Sequence, residues 1–148
     1  MKKITIEVPD GKKAIQSEKD GVITIMFSNQ PKSWNEIETF EDACEKLGIN
    51  PQDSSFTVSQ PDEIAYRKLK IIISVINEGW VPDWNNSRER KWYPWFNLSS
   101  GFGFAVSYYN STGTYTIACS RLCFSSEEKS NYVGKQFIDL YETFLTIK

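Results

Sequence analysis

The segment PDEIAYRKLKIIISVI, residues 61–76, constrains the fold most, because its apolar residues cover two sides of a helix. Pro61 suits the first helical position, where its missing N–H leaves nothing unpaired. Asp62 and Glu63 complement the positive end of the helix dipole in the first turn. Ala65, Leu69, Ile72, Ile73 and Ile76 recur at helical spacing, and Ile64, Ile71 and Val75 add a second apolar face. A helix of this kind is sandwiched between other elements. It is therefore expected to be the central helix, ending at Asn77-Glu78-Gly79.

The flanking patterns supply what it packs against. Ile4, Ile6 and Val8 alternate with polar residues, residues 22–27 do so more loosely, and Pro9-Asp10-Gly11 and Lys19-Asp20-Gly21 bracket a short strand at 14–16. A small antiparallel meander is expected there. Residues 28–38 read as a loop. Thr39 followed three residues on by Asp42 reads as a helix cap, and Gly48 as that helix's stop. Residues 49–60 are a polar connector. Pro82 and Pro94 suggest extended loop over residues 80–96. Phe102, Phe104 and Val106 alternate as a strand, paired through a turn at 110–113 with a second at Tyr115 and Ile117 that continues or restarts at 122–124. Ser125 or Ser126 caps a final helix carrying Glu127 and Glu128 in its first turn. Val133, Phe137, Leu140, Tyr141 and Phe144 give that helix its buried face. Gly134, in mid-helix, costs about 1 kcal/mol relative to alanine, which predicts close packing against a neighbour. The fold expected is one α+β domain over residues 1–148: a mainly antiparallel sheet with about three helices packed on one face.

Several classes of chemistry lack their residues. There is no histidine among the 148 residues, so Ser–His and Cys–His nucleophile pairs and the usual neutral-pH base are missing. Gly101-Phe102-Gly103 lacks the third glycine of a phosphate-binding loop. Asp62-Glu63 and Glu127-Glu128 fall at helix starts, where a dipole interaction explains them. No enzyme is expected; a hydrolase using carboxylates alone is the remaining catalytic alternative. Cys44, Cys119 and Cys123 are an odd number, and without histidine a zinc site would need a carboxylate or another chain, so buried thiols are expected and neither metal nor cofactor. The net charge of −2 gives no overall pull toward nucleic acid or anionic lipid, although Arg88, Arg90 and Lys91 form a local basic cluster. The longest apolar run, residues 71–73, is broken by Ser74, so no membrane span is expected. The N-terminus shows no apolar leader, so the expected location is the cytoplasm.

Binding is the class the composition favours. Ten of the 21 aromatic residues, including four of the five tryptophans, lie between Trp80 and Tyr109. Flat rings interleaved with amide and guanidinium groups suit single-stranded nucleic acid, where bases stack and cations meet phosphates, or carbohydrate, whose apolar face lies on tryptophan. They also suit protein interfaces and self-association. Alternatively, loop tryptophans fold back as lids over a sheet edge. The candidate contact residues are Trp84, Arg88, Arg90, Trp92, Trp95 and Tyr109. Tyr108 and Tyr109, adjacent in a strand, point to opposite faces, so at most one is a core residue.

Longer strings add a resemblance. EVPDGKKA, FEDACEKLGI, DEIAYRKLKIIISVINEGWVPDWNNS, KWYPWF, SRLCF and YVGKQFIDLYETF together span most of the chain. They resemble a family of small proteins met in phages and prophages of gut Bacteroidetes bacteria, for which no activity is established. The resemblance implies a phage-related setting inside a bacterial cell. It implies no catalytic residue or cofactor. A virion or assembly protein is one role that fits it.

Overall fold

The computed structural model describes residues 4–29, 32–99, 101–114 and 121–147. The chain falls into two compact units, Met1–Pro31 and Lys32–Lys148. In the first, β1 (Lys12–Lys19) and β2 (Val22–Asn29) form an antiparallel hairpin in which Lys19 pairs with Val22. The two-residue turn between them needs both residues left-handed, and Asp20 (φ 53°) and Gly21 (φ 77°) supply that. The expected meander is shorter by one strand, since residues 4–8 join none. Alternation shows only which side chains share a face; a strand also needs a neighbour's backbone. Instead, the Pro9 carbonyl accepts the Lys12 N–H at 3.0 Å and turns the chain into β1.

The second unit is an α+β assembly built on α1 (Phe40–Leu47), α2 (Pro61–Ile76), β3 (Lys91–Asn97), β4 (Gly103–Asn110), α3 (Glu127–Gln136) and α4 (Ile138–Leu145). The Thr39 hydroxyl accepts the Asp42 N–H at 3.1 Å while the Asp42 carboxylate accepts the Thr39 N–H at 2.9 Å, closing the expected cap of α1. Gly48, at φ 67°, ends it. The central helix α2 packs against both α1 and α4. Leu69, Ile72, Ile73 and Ile76 are buried among Phe40, Phe56, Leu122, Phe124, Val133 and Tyr141. Each such aliphatic side chain contributes roughly 1.5–3 kcal/mol on removal from water.

Two sequence expectations are corrected in the C-terminal half. Residues 91–96, read as loop, belong to β3, which pairs antiparallel with β4; the expected partner strand at Tyr115 and Ile117 lies outside the described residues. A bulge after Trp95 leaves Ala105 without an opposite residue. Trp92 also exchanges backbone hydrogen bonds with Phe124 on its other side, at 3.0 and 2.7 Å. Two residues on, Pro94 has no N–H to offer on that side, so this third ribbon stays a single bridge. The continuous helix expected at the C-terminus is two helices, because Phe137 (φ −112°, ψ 33°) leaves helical geometry between them while its side chain enters the core.

The β3–β4 hairpin lies against α3. Ser107 and Ser130, both buried, share a hydrogen bond of 2.7 Å between their hydroxyls. Gly134 faces the hairpin, and a Cβ there would stand 2.5 Å from the Phe104 ring and 2.9 Å from Pro94 Cβ. This is the close approach that a mid-helix glycine predicts. Gly134→Ala is therefore expected to destabilise the protein by about 1–3 kcal/mol despite alanine's better helix propensity, because overpacking outweighs it. Urea unfolding of the two proteins measures the sign.

Candidate functional site

Residues 80–91 fold around one ammonium group. Lys91 opens β3 with its side chain fully enclosed, at 0 % exposure. Its Nζ donates to the carbonyl oxygens of Asp83 (2.5 Å), Asn86 (3.1 Å), Glu89 (3.0 Å) and Ser111 (3.1 Å), and lies 3.1 Å from the Glu89 carboxylate. Five oxygens thus share three N–H groups, with the Trp84 ring 5.3 Å away. A buried lysine is tolerated only when its charge is matched in this way. Asx turns bend the loop so that its carbonyls converge: Asp83 Oδ1 accepts the Asn85 N–H at 2.9 Å and Asn86 Oδ1 the Arg88 N–H at 3.0 Å. Glu89 completes the knot by accepting the Asp83 N–H at 2.8 Å and the Trp80 Nε1–H at 3.1 Å. Burial alone would push the Glu89 carboxyl upward, but the hydrogen bonds from Asp83, Lys91 and Trp80 outweigh it and hold the group below its ordinary range.

Beyond the knot, cross-strand register sorts the aromatic residues. Trp92 sits opposite Tyr109, with ring centroids 5.0 Å apart, and the Arg90 guanidinium lies 4.5 Å over the Tyr109 ring. On the opposite face, Tyr93 pairs with Tyr108 and Trp95 with Val106. Trp95 meets Tyr108 edge-on at 5.5 Å. Trp95 is 51 % exposed, Tyr108 50 %, Tyr109 47 % and Val106 40 %. Neither adjacent tyrosine is a core residue.

The six sequence candidates therefore do not form one surface. Arg90, Trp92 and Tyr109 come together, the guanidinium over the Tyr109 ring and the two rings tilted by 53°, Trp92 being half-buried against the core. Trp95 belongs to the other face of the same hairpin. Trp84 is half-buried beside Lys91, and Arg88 is exposed on the loop, stacking on no ring among the described residues. The basic cluster read from the sequence is divided, since Lys91 is spent internally and Arg88 and Arg90 reach solvent. Sequence reasoning gave no role to Glu89, placed Lys91 only in a basic cluster, and left open which of Tyr108 and Tyr109 meets solvent. No local signal marks Lys91, whose neighbours Arg88 and Arg90 carry the same charge.

A cavity of about 280 Å³ lies beside the knot, between the last turns of α2 and the start of the loop. Ile73, Trp80, Val81 and Pro82 form its apolar walls, with Lys70 and Arg121 among the lining residues. None of the six sequence candidates lines it. Asn77, also at its wall, is tied to the segment that follows Leu122: Nδ2 donates to the Cys123 carbonyl at 2.8 Å and Oδ1 accepts the Ser125 N–H at 3.2 Å. Among the described residues no group of three or more histidine, cysteine or carboxylate side chains could hold a metal ion. No helix of the described residues is long and apolar enough to cross a membrane.

No protein-family model, curated protein or solved structure matches the chain.

Two measurements probe the knot. Lys91→Met removes the ammonium shared by four carbonyls and the Glu89 carboxylate. The Asp83 and Asn86 carbonyls keep backbone donors and Glu89 keeps the Asp83 and Trp80 N–H groups, but its partly buried charge loses its counter-ion. The change is expected to cost about 3 kcal/mol in urea unfolding. Glu89 has a folded pKa below its unfolded value, so its contribution is full above about pH 4.5 and is lost as pH falls through the folded value. Glu89→Gln should accordingly be less stable than the parent at neutral pH, with the difference narrowing as the pH falls through the carboxylate range. A constant difference at all pH values would contradict the assignment.

Proposed function

We propose that the protein acts by binding, without catalysis, in a phage-related setting in the bacterial cytoplasm, and that its contact surface is the outer face of the β3–β4 hairpin. The observation that carries this reading is the half-exposure of Trp95 and Tyr108, beside the exposed Val106, on strands backed by α3. Large aromatic side chains held partly in water on a rigid scaffold lose little entropy when a partner covers them, which is why they anchor interfaces. The face is an extended strand surface, so the partner is a protein, including another copy of this chain. The lack of histidine supports a non-enzymatic role, and the phage-family resemblance supports the setting.

A second reading rests on the other face. Arg90 stacked over Tyr109 next to Trp92 is an arrangement on which a base or a sugar ring can lie, and Arg88 could reach a phosphate.

Trp95→Ala should cost at most about 1 kcal/mol of stability, because the ring is half in water. It should weaken partner binding by about 2 kcal/mol or more, roughly thirtyfold. Retention of a specific partner, or self-association in sedimentation velocity, compared between wild type and Trp95→Ala, tests the protein reading. Oligonucleotide binding that falls steeply with salt and is lost in Arg90→Gln would favour the second reading instead. Glycan binding insensitive to salt and lost in Tyr109→Ala would favour its carbohydrate form.

A further inference from the structure

The cavity beside the knot combines features that the hairpin surface lacks. Its walls are apolar, and one of them is preformed: the Trp80 indole is tied through Nε1–H to Glu89, so it cannot swing in to fill the space. The cavity is open to solvent on one side, where Val81 is exposed, and its volume, about 280 Å³, lies just below the usual range of small-molecule sites. Lys70, Ile73 and Ser74 present one stripe of α2 to it, and Arg121 enters from the segment that leads into Leu122. Both charged lining residues are cationic. Neither carries an acidic partner among the described residues, Lys70 lying only over the Tyr66 ring at 4.8 Å. Acids close by in the chain are occupied elsewhere, Glu78 by Lys129 at 2.8 Å and Glu89 by Lys91 at 3.1 Å. An apolar slot with two cations that have no carboxylate partner among the described residues, and no lining carboxylate, selects against cations and offers an anion a partner of each shape, a guanidinium fork and an ammonium.

We propose that this cavity binds a small organic anion with a flat apolar body, of the aromatic carboxylate class, its ring against Trp80 and Ile73 and its carboxylate between Arg121 and Lys70. This site is separate from the hairpin surface and does not depend on the function proposed for it.

The test uses the full chain, with naphthoate as probe and naphthamide as its neutral isostere. Binding is followed by the indole N–H resonance of Trp80, assigned by its loss in Trp80→Phe. Naphthoate should shift that resonance saturably at sub-millimolar concentration, and naphthamide should bind about tenfold more weakly. The double variant Lys70→Gln, Arg121→Gln changes only solvent-accessible rim groups, so it should keep the fold's resonances while losing about tenfold in naphthoate affinity. Trp95→Ala should bind naphthoate as the parent does. No saturable shift up to millimolar naphthoate, equal affinity for the amide, or undiminished binding by the folded double variant would each overturn the proposal.

Discussion

The Lys91 ammonium is the charge around which the middle of the chain is arranged. A lysine with no access to water must find its hydrogen-bond acceptors inside the protein, and four backbone carbonyls and one carboxylate supply them. Three of those carbonyls belong to residues 83–89, a stretch that otherwise has neither helix nor strand to satisfy it. The fourth, from Ser111, ties the start of β3 to the end of β4. One cation thus fixes a polar loop and anchors one end of the hairpin that follows. Glu89 is both the counter-charge and the anchor of Trp80, so the same knot sets the wall of the neighbouring cavity.

A similar device operates at the end of α2. Asn77 is buried at the C-terminal cap, and its amide bridges the helix end to the backbone of Cys123 and Ser125. That bridge holds the segment whose next residue pairs with Trp92, so helix and hairpin share one frame through Phe124. Two buried polar side chains, Lys91 and Asn77, therefore position what the apolar core alone leaves unspecified. Hydrophobic burial drives α2 against α1 and α4 but is non-directional, whereas hydrogen bonds to particular carbonyls set register and orientation.

The elements with local signals were legible in the sequence. The cap at Thr39, the proline at Pro61, the Asp20-Gly21 turn and the two-sided pattern of α2 each depend on neighbouring residues, and each stands where the sequence puts it; of the two serines read as caps of the last helix, Ser126 is the one that caps α3. The close packing at Gly134 was legible as a cost requiring compensation, though not which residues supply it. The elements that went astray depend on distant partners. Residues 4–8 alternate without pairing, and KWYPWF hides a strand behind its proline because only the unpaired side of Pro94 lacks a donor. Phe137 breaks the last helix with neither glycine nor proline, at a point where its own ring is taken into the core. Of the candidate site, the sequence located the aromatic wealth, but it could not divide the rings between two faces, since that division requires the register of β3 against β4.

By itself the sequence determined the α+β character, the central position of α2, the start and stop of α1 and α2 and the start of α3, and the concentration of aromatic and basic side chains between Trp80 and Tyr109. Those properties follow from spacing, capping chemistry and composition, which act over a few residues. Only the tertiary structure decided that Lys91 is interior while Arg88 and Arg90 are not, that Trp95 and Tyr108 face water together, and that Trp80 walls a cavity facing two cations. Whether a charge or a ring meets solvent depends on what the rest of the chain places over it, and three cations within four residues carry no record of that.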